Sequence, residues 1–287
     1  MDLIVLLLAL ALLGTAAVVL ATVAAWAVVE GRPLRPSAAL FSALLHEWGA
    51  WLLMGPLLLS GLGDAPPRRA PPAFPAEPRP PVLLVHGYAL NRGSFRILAA
   101  WLRRCGWDWV WAINHHPDDA PVADLARNVA LAVERLKAES GAPQVDVVAH
   151  SMGGVVTALA LQHHGIAGSV RRLVTLGTPW AGTGAWVFGF RGMAADLAPG
   201  SAALGHAAAP PCAVTSLWTP LDTIVLPPRS SVVPWAPSVE VGGTGHLGLL
   251  MSLPVFHRIG EALARPDAPP APHAAPPPPP PEEAPAG

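Results

Sequence analysis

Charge is scarce in this chain: 13% of its residues are Asp, Glu, Lys or Arg, and the formal net charge is −1. That balance excludes a protein built to grip a phosphate backbone, so no nucleic-acid partner is expected. Cysteine is scarcer, with only Cys105 and Cys212 in 287 residues, too few for a metal cluster or a disulfide framework. They read as two ordinary thiols, with a single bridge between them left open. Proline is thinner in the interior than at its edges: 18 of the 35 prolines fall in Ala65 to Pro81 and Pro266 to Pro281. Those stretches read as a linker and a tail, leaving a middle long enough for one sizeable core.

No charge falls between Leu3 and Val29. As a helix this stretch is roughly 40 Å long at about 1.5 Å per residue, enough to cross a hydrocarbon layer of about 30 Å with tilt. Neither Lys nor Arg precedes it, and it exceeds an ordinary signal-peptide core, so a membrane anchor is expected ahead of a cleaved signal. Arg32 and Arg35 follow it, which by the positive-inside rule puts the next segment in the cytoplasm. A second apolar stretch, Ala38 to Leu59, is interrupted by His46 and Glu47. An acid in mid-span costs roughly 2 to 3 kcal/mol on insertion scales, so a helix lying on the membrane surface or against the globular domain is expected. If it crosses instead, the remainder of the chain lies outside the cytoplasm.

From Pro81 onward, apolar β-type runs alternate with helical patterns. "VLLV" is a strand, Phe95 to Arg104 a helix, "WDWVWAIN" a β-type run and Pro121 to Ser140 an amphipathic helix ending at Gly141. "QVDVVAHS", a helix from Gly153 to His163, and the strand "VRRLVTLGTP" follow. This alternation predicts an α/β fold, a mostly parallel sheet flanked by helices, with its chemistry at the carboxyl ends of the strands.

At one such end stands Ala149-His150-Ser151-Met152-Gly153. A strand-to-helix turn strains the serine backbone, demands small residues two before and two after it, and lifts the hydroxyl off the sheet. The following helix start aims peptide N–H groups at negative charge developing beside it. Ser151 is therefore a candidate nucleophile, with the Met152 N–H as one oxyanion donor, although a serine here also suits an N-cap. Three further features favour chemistry. "HGY" ends an earlier strand, where Gly87 permits a sharp turn and the Tyr88 N–H supplies a second donor. Asp222 follows the β-type stretch "CAVTSLW", and His246 sits in the Gly-rich loop "GGTGHLGLL".

Taken in order, "VLLVHGY", "VDVVAHSMGG", "RLVTLGTPWAGT", "PLDTIV" and "GTGHLGLL" resemble lipases of the α/β-hydrolase superfamily, most closely the small bacterial triacylglycerol lipases with an Ala-His-Ser-Met-Gly elbow. The resemblance spans about Pro81 to Ala264. It implies Ser151 as nucleophile, His246 as general base, Asp222 as its orienting acid, and Tyr88 and Met152 as oxyanion donors, with no metal or cofactor. It implies a lipid or other ester as substrate and, with the anchor, a place at a bacterial inner membrane. An acyltransferase using the same triad, and a catalytically silent membrane-binding module, are the competing functions.

The expected organisation is an anchor over 1–30, a second apolar helix over 38–60, a Pro-rich linker over 61–80, a catalytic domain over 81–265 and a disordered tail over 266–287. Trp180 to Gly200 reads as an acyl-binding wall or flap. Trp107, Trp109 and Trp111 are expected to pack along one strand, His115 to Asp119 to form a polar loop, and His163-His164 to partner a helix end. His150 is expected to point away from Ser151. Asp146 points the wrong way for the acid role, and Asp196 is the alternative to Asp222.

Overall fold

The computed structural model describes residues 3–31, 36–70, 79–116, 120–188, 193–207 and 209–265. The Pro-rich tail, the middle of the linker, Arg32 and Arg35, and the Pro-Asp-Asp part of the 115–119 loop lie outside them.

Six strands form one sheet in which every pairing is parallel: β1 (Val82–Val85), β2 (Val110–Ala112), β3 (Val145–His150), β4 (Val170–Leu176), β5 (Ala213–Trp218) and β6 (Ser238–Glu240). Their spatial order is β2-β1-β3-β4-β5-β6. Every residue of β1 and β3 is buried, which is why both read as unbroken apolar runs: a parallel strand covered on both faces has no solvent side. Alternate residues serve the two faces. Leu83, Val85, Val147 and Ala149 pack beneath α4 (Val122–Ser140) and α5 (Met152–His163), while Val82, Leu84 and Val148 pack with α3 (Arg96–Arg104) and α8 (Leu253–Ala264). Helix α4 ends where expected, at Gly141 in the left-handed conformation with φ 72°, a backbone shape that glycine adopts without strain. Two short helices, α6 (Met193–Asp196) and α7 (Ala202–Ala207), complete the segment between β4 and β5.

From β1 the chain moves to one side for β2 and then returns to the other for β3. The reversal makes a crevice at the carboxyl ends of β1 and β3, the place where open α/β sheets hold their ligands. His86-Gly87-Tyr88 leaves β1 into this crevice and Ser151 leaves β3 into it.

Of the three tryptophans, Trp109 and Trp111 pack on one side as expected and Trp107 departs from them. The strand covers only 110–112, so Trp107 precedes it and packs on the α3/α8 side, whereas Trp109 and Trp111 pack on the α4/α5 side. β2 pairs with β1 over three residue pairs, and Val82 N–H donates to Trp109 O at 2.8 Å, so the ladder's bonds begin at 109 and leave Trp107 outside it.

Two N-terminal helices precede the sheet, α1 (Leu3–Glu30) and α2 (Ala38–Leu59). Leu10–Glu30 is long and apolar enough to cross a membrane, a length and composition shared by membrane anchors and signal sequences. Helix α2 lies against the domain. Ala43, Glu47, Ala50 and Met54 form its buried stripe, at the spacing that puts residues on one helical face. Trp48 Nε1–H donates to Thr15 Oγ1 at 3.0 Å, tying α2 to α1, and Trp26 Nε1–H donates to Pro220 O at 3.0 Å, tying α1 to the loop after β5. The first part of the linker is also held: Asn114 donates to Gly61 O and Gly63 O, and Trp111 Nε1–H donates to Ala65 O at 2.6 Å.

Candidate active site

Ser151 joins β3 directly to α5 with φ 55° and ψ −129°, a conformation outside the regions open to an L-residue without strain. Neighbouring chain holds it there. The Ser151 N–H donates to Leu176 O at 2.8 Å, and Thr178 Oγ1–H donates to Ser151 O at 2.9 Å. Small neighbours are required by close approach: a Cβ on Gly153 would stand 2.5 Å from Val85 O, and one on Gly154 would overlap the Thr178 side chain. Gly87 has a reason beyond its turn, since a Cβ there would lie 2.6 Å from Ser151 Cβ. The N–H of Met152 opens α5, where the first turn of a helix has no intrahelical acceptor.

His246 and Asp222 meet in the interior. His246 Nδ1–H donates to Asp222 Oδ2 at 2.7 Å, while Asp222 Oδ1 accepts the N–H groups of Ile224 at 3.0 Å and Val225 at 2.7 Å. Both carboxylate oxygens are thereby used and the imidazole tautomer is set. Gly177, with φ 56°, passes so close that a Cβ would stand 3.0 Å from Asp222 Oδ2 and 3.1 Å from His246 Nδ1. Burial pulls the His246 pKa down. The charge of Asp222, its hydrogen bond and the charge of Glu47 outweigh that and leave it above the ordinary histidine value. Among the described residues no hydrogen bond joins Ser151 Oγ to His246; the two side chains line one cavity, and such links often tighten only around substrate.

Asp196 stands elsewhere, with Oδ2 accepting the Val122 N–H at 3.0 Å at the start of α4. Asp146 is buried in β3 and bound by Arg171 through Nε at 2.9 Å and Nη2 at 2.6 Å. His115 and His116 diverge: His116 pairs with Asp64 at 3.0 Å, whereas His115 is buried against His86 with ring centroids 4.4 Å apart. Both cysteines are free, and burial, with the Asp146 charge, pushes the Cys212 thiol up to about 12.

His150 corrects the sequence expectation. It lines the cavity with Ser151 and stacks on His246, ring centroids 4.6 Å apart, and its Nε2–H donates to His246 O at 3.2 Å. Burial holds its pKa well below the ordinary value, with the His246 charge adding to the effect, so it acts as a neutral buttress. Nothing local indicated this, because the ring reaches a residue 96 positions away. Glu47 was also missed as a site residue: its carboxylate accepts the N–H groups of Leu247 and Gly248, next to His246. Its signal in the sequence was the cost of an acid inside an apolar helix.

The cavity beside Ser151 holds about 590 Å³ and is almost wholly apolar. Val18, Ala21, Thr22 and Ala25 of α1 form one wall, and Trp51, Met54 and Leu58 of α2 another. Thr183, Ala185, Trp186, Ala194 and Leu197 come from the stretch expected as an acyl wall; residues 189–192 of that stretch lie outside the described ones. A second cavity of about 560 Å³, which shares Leu58, Tyr88, Ala89 and Leu90 with the first, has a more polar lining that includes Asn114, His115 and His116.

A parallel sheet with a strained serine at a strand-to-helix turn and an Asp–His pair on later loops defines a protein of the α/β-hydrolase fold. The sequence profile described as "alpha/beta hydrolase fold" matches residues 80–192. Among solved structures, lipase B of Aspergillus fumigatus superposes with a TM-score of 0.60 at 19% identity, over 67% of this chain and 54% of that one. Lipase BlEst2 of Bacillus licheniformis superposes in its mature form with a TM-score of 0.54 at 17% identity, over 66% of this chain and 95% of that one. Its propeptide form gives 0.59 at 18% identity, over 70% and 54%. The chain thus spans about half the length of the Aspergillus structure, and at these identities the likeness is one of fold.

Proposed function

We propose that this chain is a membrane-anchored serine hydrolase that cleaves carboxylic esters of lipids through an acyl-enzyme. The observation that carries the reading is the apolar cavity of about 590 Å³ that Ser151 and His246 both line, a size within the range of about 300–1,000 Å³ typical of small-ligand sites. His246 takes the Ser151 proton as Oγ attacks the ester carbonyl, and Asp222 keeps the imidazole oriented and stabilises the imidazolium. The N–H groups of Tyr88 and Met152 receive the charge that develops on the carbonyl oxygen, each worth about 3 to 4 kcal/mol in enzymes where one such donor was removed. The alcohol leaves with the proton from His246, and water then releases the fatty acid.

The cavity walls give the substrate its class. An aliphatic chain gains by leaving water for an apolar lining, and among the described residues no Lys or Arg lines the cavity. Two of the walls are the N-terminal helices, and the outer surface of α1 is apolar and uncovered, with Leu13 70% and Val28 80% exposed. An uncovered apolar surface of this extent suits a bilayer. A chain anchored by α1 would then meet lipid esters where the cavity is walled by the anchor itself.

Labelling with a fluorophosphonate probe tests the assignment. Wild type is expected to label and Ser151→Ala not to; equal labelling removes Ser151 from the role. Esters of increasing acyl length, offered as monomers and as droplets, then separate a lipase from an esterase.

A further inference from the structure

Helix α2 carries one ionisable pair, His46-Glu47, and both side chains reach the loop that holds His246. Glu47 is 2% exposed and makes no ion pair among the described residues. Instead its Oε1 accepts the Leu247 N–H at 3.0 Å and its Oε2 accepts the Gly248 N–H at 2.8 Å. These are the two residues that follow His246. On the preceding side, His46 Nδ1 and Thr244 Oγ1 are hydrogen-bonded at 3.1 Å, and Thr244 O accepts the Thr219 Oγ1–H at 2.7 Å. The catalytic loop is therefore clamped both before and after the histidine, by adjacent residues of one N-terminal helix.

The loop is shaped to receive the acid. A Cβ on Gly245 would stand 2.6 Å from the Glu47 carboxylate, and one on Gly248 would stand 2.7 Å from His46 Nδ1. Two of the glycines in "GGTGHLG" thus leave room for α2. A loop so rich in glycine has little of its own to hold it in one conformation. Asp222 orients the ring through Nδ1 but does not fix the backbone from which the ring projects. Two consecutive N–H groups binding one carboxylate do fix it.

We propose that Glu47 is a positioning residue for the catalytic histidine: its carboxylate holds the 244–248 backbone in register and places a second negative charge, after that of Asp222, beside the imidazole. The inference rests on the serine-hydrolase reading above. Each Glu47 oxygen accepts an N–H, an arrangement that favours the anion. Burial pushes the Glu47 carboxyl above its ordinary value; the Gly248 and Leu247 N–H groups and the charge of His246 offset part of that rise, and the charge of Asp222 adds to it. The other titratable groups around it are histidines held low by burial: His46, and His150 with His86 acting on it. Glu47 and Asp222 are then the negative charges facing His246, and both favour the imidazolium formed as Ser151 attacks. Helix α2, which lies outside the matched hydrolase region of 80–192, becomes part of the catalytic unit.

The test uses the full chain in detergent, with kcat and KM for a short p-nitrophenyl ester measured from about pH 5 to about pH 9, a range that brackets a histidine base. Glu47→Gln is expected to lower kcat by about 10- to 100-fold, as loss of an orienting outer partner does elsewhere, with KM little changed. Its acid limb should move to lower pH, because His246 loses a neighbouring negative charge. If Glu47→Gln does not fold, as judged by Tm, the profile is read in Glu47→Asp, which withdraws the carboxylate by one methylene and should shift the limb in the same direction by less. A variant with wild-type kcat, or with reduced kcat and an acid limb that stays in place, overturns the proposal. A wild type that neither turns over the ester nor labels at Ser151 sinks the hydrolase reading itself. A wild type that does both, beside an indistinguishable Glu47 variant, sinks only the role of Glu47.

Discussion

Helices α1 and α2 are both long, apolar and without lysine or arginine, yet they are used differently. Most of α1 stays uncovered, and it touches the domain through one stripe, Val18, Ala21, Thr22 and Ala25, that walls the cavity, and through the indole of Trp26. Helix α2 buries a stripe that contains an acid, and that acid reaches the histidine loop. The difference lies in one polar pair. An apolar helix can sit against lipid or protein with little preference, whereas a carboxylate must find donors, and those of the 247–248 backbone are within its reach. On this reading α1 shapes what binds and α2 shapes how fast it reacts.

Replacing the domain's own acid gives the scale for that contrast. Asp222→Asn should lower ester turnover by about 10⁴-fold through the wrong imidazole tautomer, well beyond the loss expected at Glu47, while Asp196→Asn should stay near wild type. Comparable losses at Asp196 would reassign the orienting acid. On the α1 side, Ala25→Trp should fill the cavity and lower turnover of long-chain esters by roughly tenfold or more, leaving an acetyl ester almost unaffected. An equal loss for both esters would mean that α1 contributes to the chemistry and not only to the wall. The smallest effect concerns a site remote from both helices' polar contacts. Burial lowers the His115 pKa from 6.5 to about 4, so below 6.5 the unfolded chain takes up a proton that the folded one refuses. Stability from this site is full above pH 6.5 and is lost as the pH falls towards about 4. A Tm measured across that window should drop, and His115→Gln should flatten the drop; an unchanged slope would place the acid sensitivity elsewhere.

Much of the domain was legible because its signals are local. Unbroken apolar runs at 82–85 and 145–150 marked strands covered on both faces, and small residues around Ser151 marked the turn between strand and helix. Asp222 and His246 were legible by order along the chain, and the structure brings them within 2.7 Å. What escaped was lateral. His150 was expected to face away from the site, and its contact with His246 depends on how a loop 96 residues later folds over it. The glycines at 245 and 248 read only as parts of a Gly-rich loop, and the structure makes them the points at which Glu47 approaches the backbone. Gly87 likewise looked like a turn and proves to be a point of contact with Ser151 Cβ.

Local patterning along the chain was enough for the alternation of strands and helices, the serine turn at the end of β3, the order of the Ser-Asp-His set and the apolar length of α1. Each of these follows from the preferences of a short stretch of chain. Where α2 rests, which residues wall the cavity and what partners the acid at position 47 were settled by long-range packing. Those outcomes depend on donors and surfaces 200 and 201 residues away from that acid. The free energy of a buried polar group is set by what meets it there, and no local pattern carries that information.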